Sequence, residues 1–190
     1  MKVILGSASK RRQDLMDLLK IPYEVLVSDE DEVYDKNKNL YEQCINISEH
    51  KALNVFNKTS GNRIVIGSDT VVIFENQIYG KPKNKDEAFK MLKKLSGKCH
   101  EVVTSVCFMV YKNNQIIKES DYKITKVYID ELSDSEILHW INNNDVCNLA
   151  GGYAIQGEFG KFVNKIEGDY YTVVGFPLNK VYRKLEKYLN

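Results

Sequence analysis

A chain of 190 residues, 43% hydrophobic and 28% charged, has the material for one soluble globular domain, 1–190, or two lobes sharing a sheet. Its 27 basic and 26 acidic residues leave a formal net charge of +1, which removes any global electrostatic case for nucleic acid or membrane and makes an anion site local. Cys44, Cys99, Cys107 and Cys147 form no C-x-x-C pair, against a zinc centre or disulfide framework. Val3-Ile4-Leu5 is too short for the apolar region of a signal peptide and no apolar run could span a bilayer, so a cytoplasmic location is expected.

The chain opens with that apolar run, followed by Gly6-Ser7-Ala8-Ser9-Lys10-Arg11-Arg12 and then a segment carrying Leu15, Leu18 and Leu19. This predicts strand, small-residue turn, helix. A helix start exposes unpaired N–H groups and the positive dipole end, so two hydroxyls and two arginines there suggest a phosphate cradle. The alternative is a plain solvated helix start with Ser9 as N-cap. Pro22 is expected to stop this helix, and Tyr23 to Val27 predicts a second strand. The acidic run Asp29-Glu30-Asp31-Glu32 follows, either solvated or offering a carboxylate to a divalent cation.

Tyr41 to Lys58 is the clearest predicted helix, with Tyr41, Cys44, Ile45, Ser48, Ala52, Val55 and Phe56 on one face. Lys51 borders that stripe, either snorkelling or delivering a point charge beside the core. Arg63 to Ile66 predicts a buried strand, Gly67-Ser68-Asp69-Thr70 interrupts it, and Val71 to Phe74 predicts another. A buried acid and hydroxyl are costly unless something satisfies or uses them; an Asx-turn is the bland account of Asp69. A tight turn is expected at Asn76-Gln77. In Tyr79-Gly80-Lys81-Pro82 the proline presets an extended backbone at Lys81. Asn84 with Glu87 resembles a capping box for a helix carrying Ala88, Met91, Leu92 and Leu95, ended by Ser96-Gly97.

From His100 the pattern is β: Val102 to Tyr111 as a central strand, a turn at Asn113-Asn114, then Ile116 to Ile129. Ser133 with Glu136 predicts a second capping box, on a helix where Trp140 packs and His139 faces solvent. The glycines of Ala150-Gly151-Gly152-Tyr153-Ala154-Ile155-Gln156-Gly157 mark backbone that bends or approaches a ligand closely. Gly157-x-x-Gly160-Lys161 lacks the spacing and the hydroxyl residue of a P-loop. A turn at Gly168-Asp169 and the sequence Gly175-Phe176-Pro177 lead into a last helix, with Leu178, Val181, Tyr182, Leu185, Tyr188 and Leu189 on its apolar face.

Taken in order, Ser-x-Ser-x-Arg-Arg at Ser7 to Arg12, the acidic pair Asp31-Glu32, Gly67-Ser68-Asp69-Thr70, Gly80-Lys81-Pro82 with Leu95-Ser96-Gly97 and His100, and Ala150 to Gly157 make this chain similar to the Maf (septum-formation inhibitor) family of nucleoside triphosphate pyrophosphatases. The likeness runs from Val3 to about Leu185. It implies an α/β fold, with a long mixed twisted sheet flanked by helices and two lobes around a central cleft. It implies hydrolysis of a nucleoside triphosphate to the monophosphate and pyrophosphate, with a divalent cation, magnesium or manganese.

By position in those motifs, Asp69 corresponds to the general base and, with Glu32, to the metal-binding acids. Ser7, Arg11, Arg12, Lys51 and Lys81 correspond to the residues linked to the triphosphate. Arg11, Thr70 and Gln156 correspond to markers of the dTTP/UTP branch. The chain departs from the family at Lys10, where proline is usual, and at Gly152 and Ala154, where that branch often has alanine and glycine. Lysine can adopt the same helix-start geometry as proline.

The expected partner is a nucleoside triphosphate, without nucleic acid or membrane, and a homodimer is the assembly considered. Asp69 would orient and deprotonate a water for attack on the α-phosphorus, and Gln156 would read a pyrimidine edge. The rival readings are a purine-directed (inosine- or xanthosine-type) triphosphate pyrophosphatase and a non-catalytic nucleotide-binding regulator of septum formation.

Overall fold

The computed structural model describes residues 1–29, 33–35 and 37–190. Along the chain lie β1 (Lys2–Leu5), α1 (Lys10–Leu18), β2 (Glu24–Val25), α2 (Leu40–Asn57), β3 (Arg63–Phe74), β4 (Gln77–Tyr79) and α3 (Lys85–Leu95). There follow β5 (Cys99–Lys112), β6 (Gln115–Ile129), α4 (Asp134–Asn143), β7 (Val163–Glu167), α5 (Tyr170–Val174) and α6 (Leu178–Leu189), with short 3-10 turns between Val146 and Phe162.

The strands form one mixed sheet in the order β2-β1-β3-β5-β6-β7, with β4 paired to β3. β1 runs parallel to β2 and β3, with Val3 opposite Ile64 and Leu5 opposite Ile66. Parallel neighbours require crossovers, and α1 and α2 supply them. β4 is antiparallel to β3, and β7 to β6. The expected α/β class and the central position of β5 both hold.

The chain divides into two compact units: Met1–Asp69 with Thr104–Lys123 and Gly175–Asn190, and Thr70–Val103 with Ile124–Val174. The first has a core of Ile4, Ala52, Val55, Phe56, Val65, Cys107 and Met109. The second packs Val72, Leu92, Leu95, Val127, Trp140 and Phe159, among others. Trp140 donates its indole N–H to the Gly152 carbonyl at 2.9 Å, so it packs as expected, and His139 is exposed. The Ser133–Glu136 capping box is complete, whereas Glu87 reaches the Lys83 amide rather than that of the N-cap Asn84.

Several expectations need correction. The first helix ends at Leu18, well before Pro22, because Lys20 turns left-handed at φ 55°. The second strand shrinks to two residues, since β1 ends at Leu5 and offers no further ladder after the Leu26 N–H reaches the Leu5 carbonyl. The two strands expected around Gly67-Ser68-Asp69-Thr70 are one twelve-residue strand, β3. Its polar centre is tolerated because Ser68 and Asp69 find partners in the interior. The hairpin turn falls one residue early, at Glu75-Asn76, both at positive φ as in a tight hairpin turn. β7 and α5 were not expected: each is only five residues long and sits in a glycine-punctuated stretch. On α6 the apolar face is narrower, with Tyr182 and Leu189 exposed.

Candidate functional site

In the first unit Asp69 is 3% exposed, in mid-strand on β3. Its Oδ1 accepts from Lys51 Nζ at 2.9 Å, and the lysine side chain is itself only 12% exposed. Lys51 reaches this far because α2 lies directly on β3. A β-carbon on Gly67 would be 2.2 Å from the Ser48 carbonyl oxygen and 2.6 Å from the Ala52 nitrogen. The buried face of α2 runs through Cys44, Ile47, Ser48, Ala52 and Val55, so Ile47 replaces Ile45 in the expected stripe. At 100° per residue Lys51 therefore lies within that face rather than on its border. A glycine inside a strand is a recognised sign of close backbone approach, and that signal could have identified Gly67 from sequence.

A second cluster stands at the start of α1. Ser9 is the N-cap but its side chain makes no capping bond, and no acid lies in the first turn. By contrast α2, α3 and α4 are capped by Asn39, Asn84 and Ser133 and carry acids in that turn. Lys10 begins α1 as the expected geometry requires and pairs on the surface with Asp14 at 2.9 Å. Arg11 is half-buried, and burial lowers its guanidinium pKa from the ordinary value.

Arg12 points into the protein. Its Nε donates to the Gly175 carbonyl at 2.8 Å, and its Nη1 to the Ser68 carbonyl at 2.9 Å and Ser7 Oγ at 3.1 Å. Ser7 is buried, and its Oγ also accepts from the Ser9 N–H at 3.3 Å.

Sequence reading missed the layer behind these residues. Ser68 Oγ donates to the Ser105 carbonyl at 2.9 Å, and Ser105 Oγ to the Cys44 carbonyl at 2.8 Å. The Cys44 thiol lies 3.3 Å from Ser105 Oγ and 3.9 Å from Asp69 Oδ2. Burial, then the neighbouring Asp69 charge, pushes the thiol pKa up to about 12, so it stays a neutral weak donor. Among the described residues Oδ2 meets no stronger donor. No local pattern marks Ser105 inside an apolar strand; only the fold brings it under Asp69.

Ser7, Arg11, Arg12, Lys51 and Asp69 all belong to the first unit, where Arg12 bonds Ser7 and the Ser68 carbonyl next to Asp69, and Lys51 bonds Asp69. Thr70, Lys81 and Gln156 belong to the second. Thr70 follows Asp69 on β3 and is half-buried; Lys81 and Gln156 are exposed. The Gly151 N–H bonds the Gly80 carbonyl at 3.0 Å, tying the backbone before Lys81 to the glycine-rich turn before Gln156. Gly151 is left-handed at φ 69°, and a β-carbon there would strike Val72. Glu32 lies outside the described residues. Among the described residues no three His, Cys, Asp or Glu side chains gather as a metal centre. Asp69 Oδ2 is the carboxylate oxygen not taken by Lys51, a hard donor of the kind magnesium and manganese accept. No described helix is long and apolar enough to cross a membrane.

A HAM1 protein from Coxiella burnetii has a similar fold, with TM-score 0.54 at 10% identity over 98% of this chain and 99% of that one. A dTTP/UTP pyrophosphatase of Clostridium botulinum (strain Okra) is 44% identical over 182 residues, 94% of this chain and 93% of the relative. Proteins of the same name from Alkaliphilus oremlandii and Thermoanaerobacter sp. (strain X514) are 43% and 40% identical, over 95% and 98% of this chain and 92% and 96% of their own lengths. The family model for Maf-like protein matches residues 2–188. The motifs from Ser7 to Gln156 thus lie within one continuous family match, and the chain belongs to the Maf family.

Proposed function

We propose that this chain is a nucleoside triphosphate pyrophosphatase that hydrolyses dTTP and UTP to the monophosphate and pyrophosphate. The observation that carries the reading is the buried Asp69, held by Lys51 on one oxygen, in the same unit as the Ser7–Arg12 cradle. Family membership and relatives named dTTP/UTP pyrophosphatase across nearly their whole length support the substrate assignment.

In the proposed reaction a water oxygen bonds to the α-phosphorus, the bond to the α–β bridging oxygen breaks, and pyrophosphate leaves. Asp69 Oδ2 takes the proton of the attacking water. Such chemistry depends on positioning and charge neutralisation. Lys51 keeps the carboxylate in one orientation; Arg11 and Lys81 supply positive charge for the triphosphate, and Arg12 braces the cradle through Ser7. The α1 N–H groups and Ser7 complete the anion cradle. Thr70, Lys81 and Gln156 are the proposed substrate-binding residues of the second unit, with Gln156 offering a donor and an acceptor to a pyrimidine. A divalent cation would be held by Asp69 and Glu32; when bound it neutralises phosphate charge and acidifies water.

The test is pyrophosphate release from dTTP, UTP and a panel of purine triphosphates by the wild type and Asp69→Asn. Pyrimidine turnover lost in the Asn variant is expected. Preference for a purine triphosphate would overturn the substrate assignment, and an active Asp69→Asn enzyme would overturn the base.

A further inference from the structure

The family resemblance links both Arg12 and Ser7 to the triphosphate. The hydrogen bonds around them give each a different task. A hydroxyl oxygen has two acceptor positions and one proton. On Ser7 Oγ both acceptor positions are filled, by Arg12 Nη1 at 3.1 Å and the Ser9 N–H at 3.3 Å. Among the described residues no group accepts the Ser7 proton. The Ser9 bond comes from a backbone turn and is set locally. The Arg12 bond is set by distant chain, because its guanidinium is anchored on the Ser68 and Gly175 carbonyls at 2.9 and 2.8 Å.

We propose that Arg12 is a positioning residue: anchored on Ser68 and Gly175, it fills the second acceptor position of Ser7 Oγ and so commits the Ser7 hydroxyl to donating a hydrogen bond to a phosphate oxygen of the substrate. The inference rests on the proposed triphosphate site and assigns its parts. A serine with a vacant acceptor position could also accept from a donor on the ligand. With both positions filled the hydroxyl can only donate, so only an acceptor satisfies it. Lysine cannot reproduce the role, because one ammonium does not span the two carbonyls and Ser7 in a fixed plane. The same anchoring holds the Ser68 carbonyl, one residue before Asp69, so the guanidinium ties the cradle to the strand carrying the proposed base.

A double-mutant cycle tests this, using Ser7→Ala, Arg12→Lys and the double variant, with inorganic pyrophosphate as the binding probe and dTTP turnover beside it. Each single variant should weaken pyrophosphate binding by about tenfold, the scale of a charge-assisted hydrogen bond. The double variant should be no weaker than the worse single one, because Arg12 acts through Ser7. A role for Arg12 in stability alone, or as a separate phosphate ligand, predicts losses that multiply. Multiplied losses overturn the proposal, as does wild-type binding in Arg12→Lys or no pyrophosphate binding by the wild type. If Arg12→Lys melts below assay temperature, Arg12→Gln replaces it in the same cycle with the same outcomes. Pyrophosphate binding without triphosphate turnover would instead defeat the proposed activity and leave the coupling readable.

Discussion

Gly67 lies against the Ser48 carbonyl so tightly that a β-carbon would sit 2.2 Å from that oxygen. Backbone faces backbone there, so no side chain can swing away to make room. Gly67→Ala must push α2 off β3, at a cost of about 3 kcal/mol from overpacking. It should also draw Lys51 from Asp69, so turnover falls with stability. Urea unfolding within about 1 kcal/mol of wild type, below the usual overpacking range, would show that the helix yields easily.

The Lys51–Asp69 pair separates a structural penalty from a catalytic one. Lys51→Met leaves a buried carboxylate without its counter-charge, which should destabilise by about 3 kcal/mol. Adding Asp69→Asn removes that charge and should recover most of the stability while turnover stays absent. Denaturation and pyrophosphate assays on the single and double variants check both halves. A double variant as unstable as Lys51→Met would mean that the lysine is needed for packing rather than charge.

Burial lowers the pKa of His100, whose Nε2 pairs with the Tyr153 hydroxyl at 2.7 Å, to about 4 from an ordinary 6.5. Between those values the unfolded chain binds a proton that the folded chain refuses. The contribution is therefore intact above pH 6.5 and is lost as pH falls toward 4, reaching about 2 kcal/mol at pH 5. His100→Gln should flatten this part of the stability–pH curve. An unchanged slope between pH 7 and 5 in that variant would assign the loss to other groups.

Glu119 on β6 accepts from both Lys184 and Lys187 of α6. The hydrogen bonds from these lysines, Lys184 first, hold its carboxyl down at about 2. A lowered carboxyl pKa stabilises the fold above its unfolded value of 4.5, and the benefit is lost as pH falls toward 2. The pair is partly solvated, so Glu119→Gln should cost only about 1 kcal/mol at neutral pH, and less in high salt. Thermal melts in low and high salt measure this; a salt-independent loss would point to packing.

Chelator should abolish pyrophosphate release, with recovery on adding magnesium or manganese, if the reaction needs the cation that Asp69 and Glu32 would hold. Full turnover in excess chelator would leave neutralisation to Arg11 and Lys81.

Local patterns located most elements. The stripe on α2, the Ser133–Glu136 box and the Asn113-Asn114 turn each depend on residues within one or two turns of chain, where periodicity and capping rules operate. Local rules failed where a partner came from elsewhere. Ser68 and Asp69 read as an interruption because their satisfaction comes from Ser105 and Lys51. β2 read too long because its length is set by the end of β1.

By itself the sequence determined the family, the helix start bearing Ser7, Arg11 and Arg12, and the acid at Asp69, since each is carried by neighbouring residues in a recognisable order. Tertiary structure decided what these side chains face. Lys51 meets Asp69 across 18 residues because Gly67 lets the helix descend, and Arg12 reaches Gly175 across 163. Neither separation leaves a periodic trace in the chain. Which lone pair is filled, and so which proton remains to donate, is settled only when distant backbone carbonyls fix the guanidinium in place.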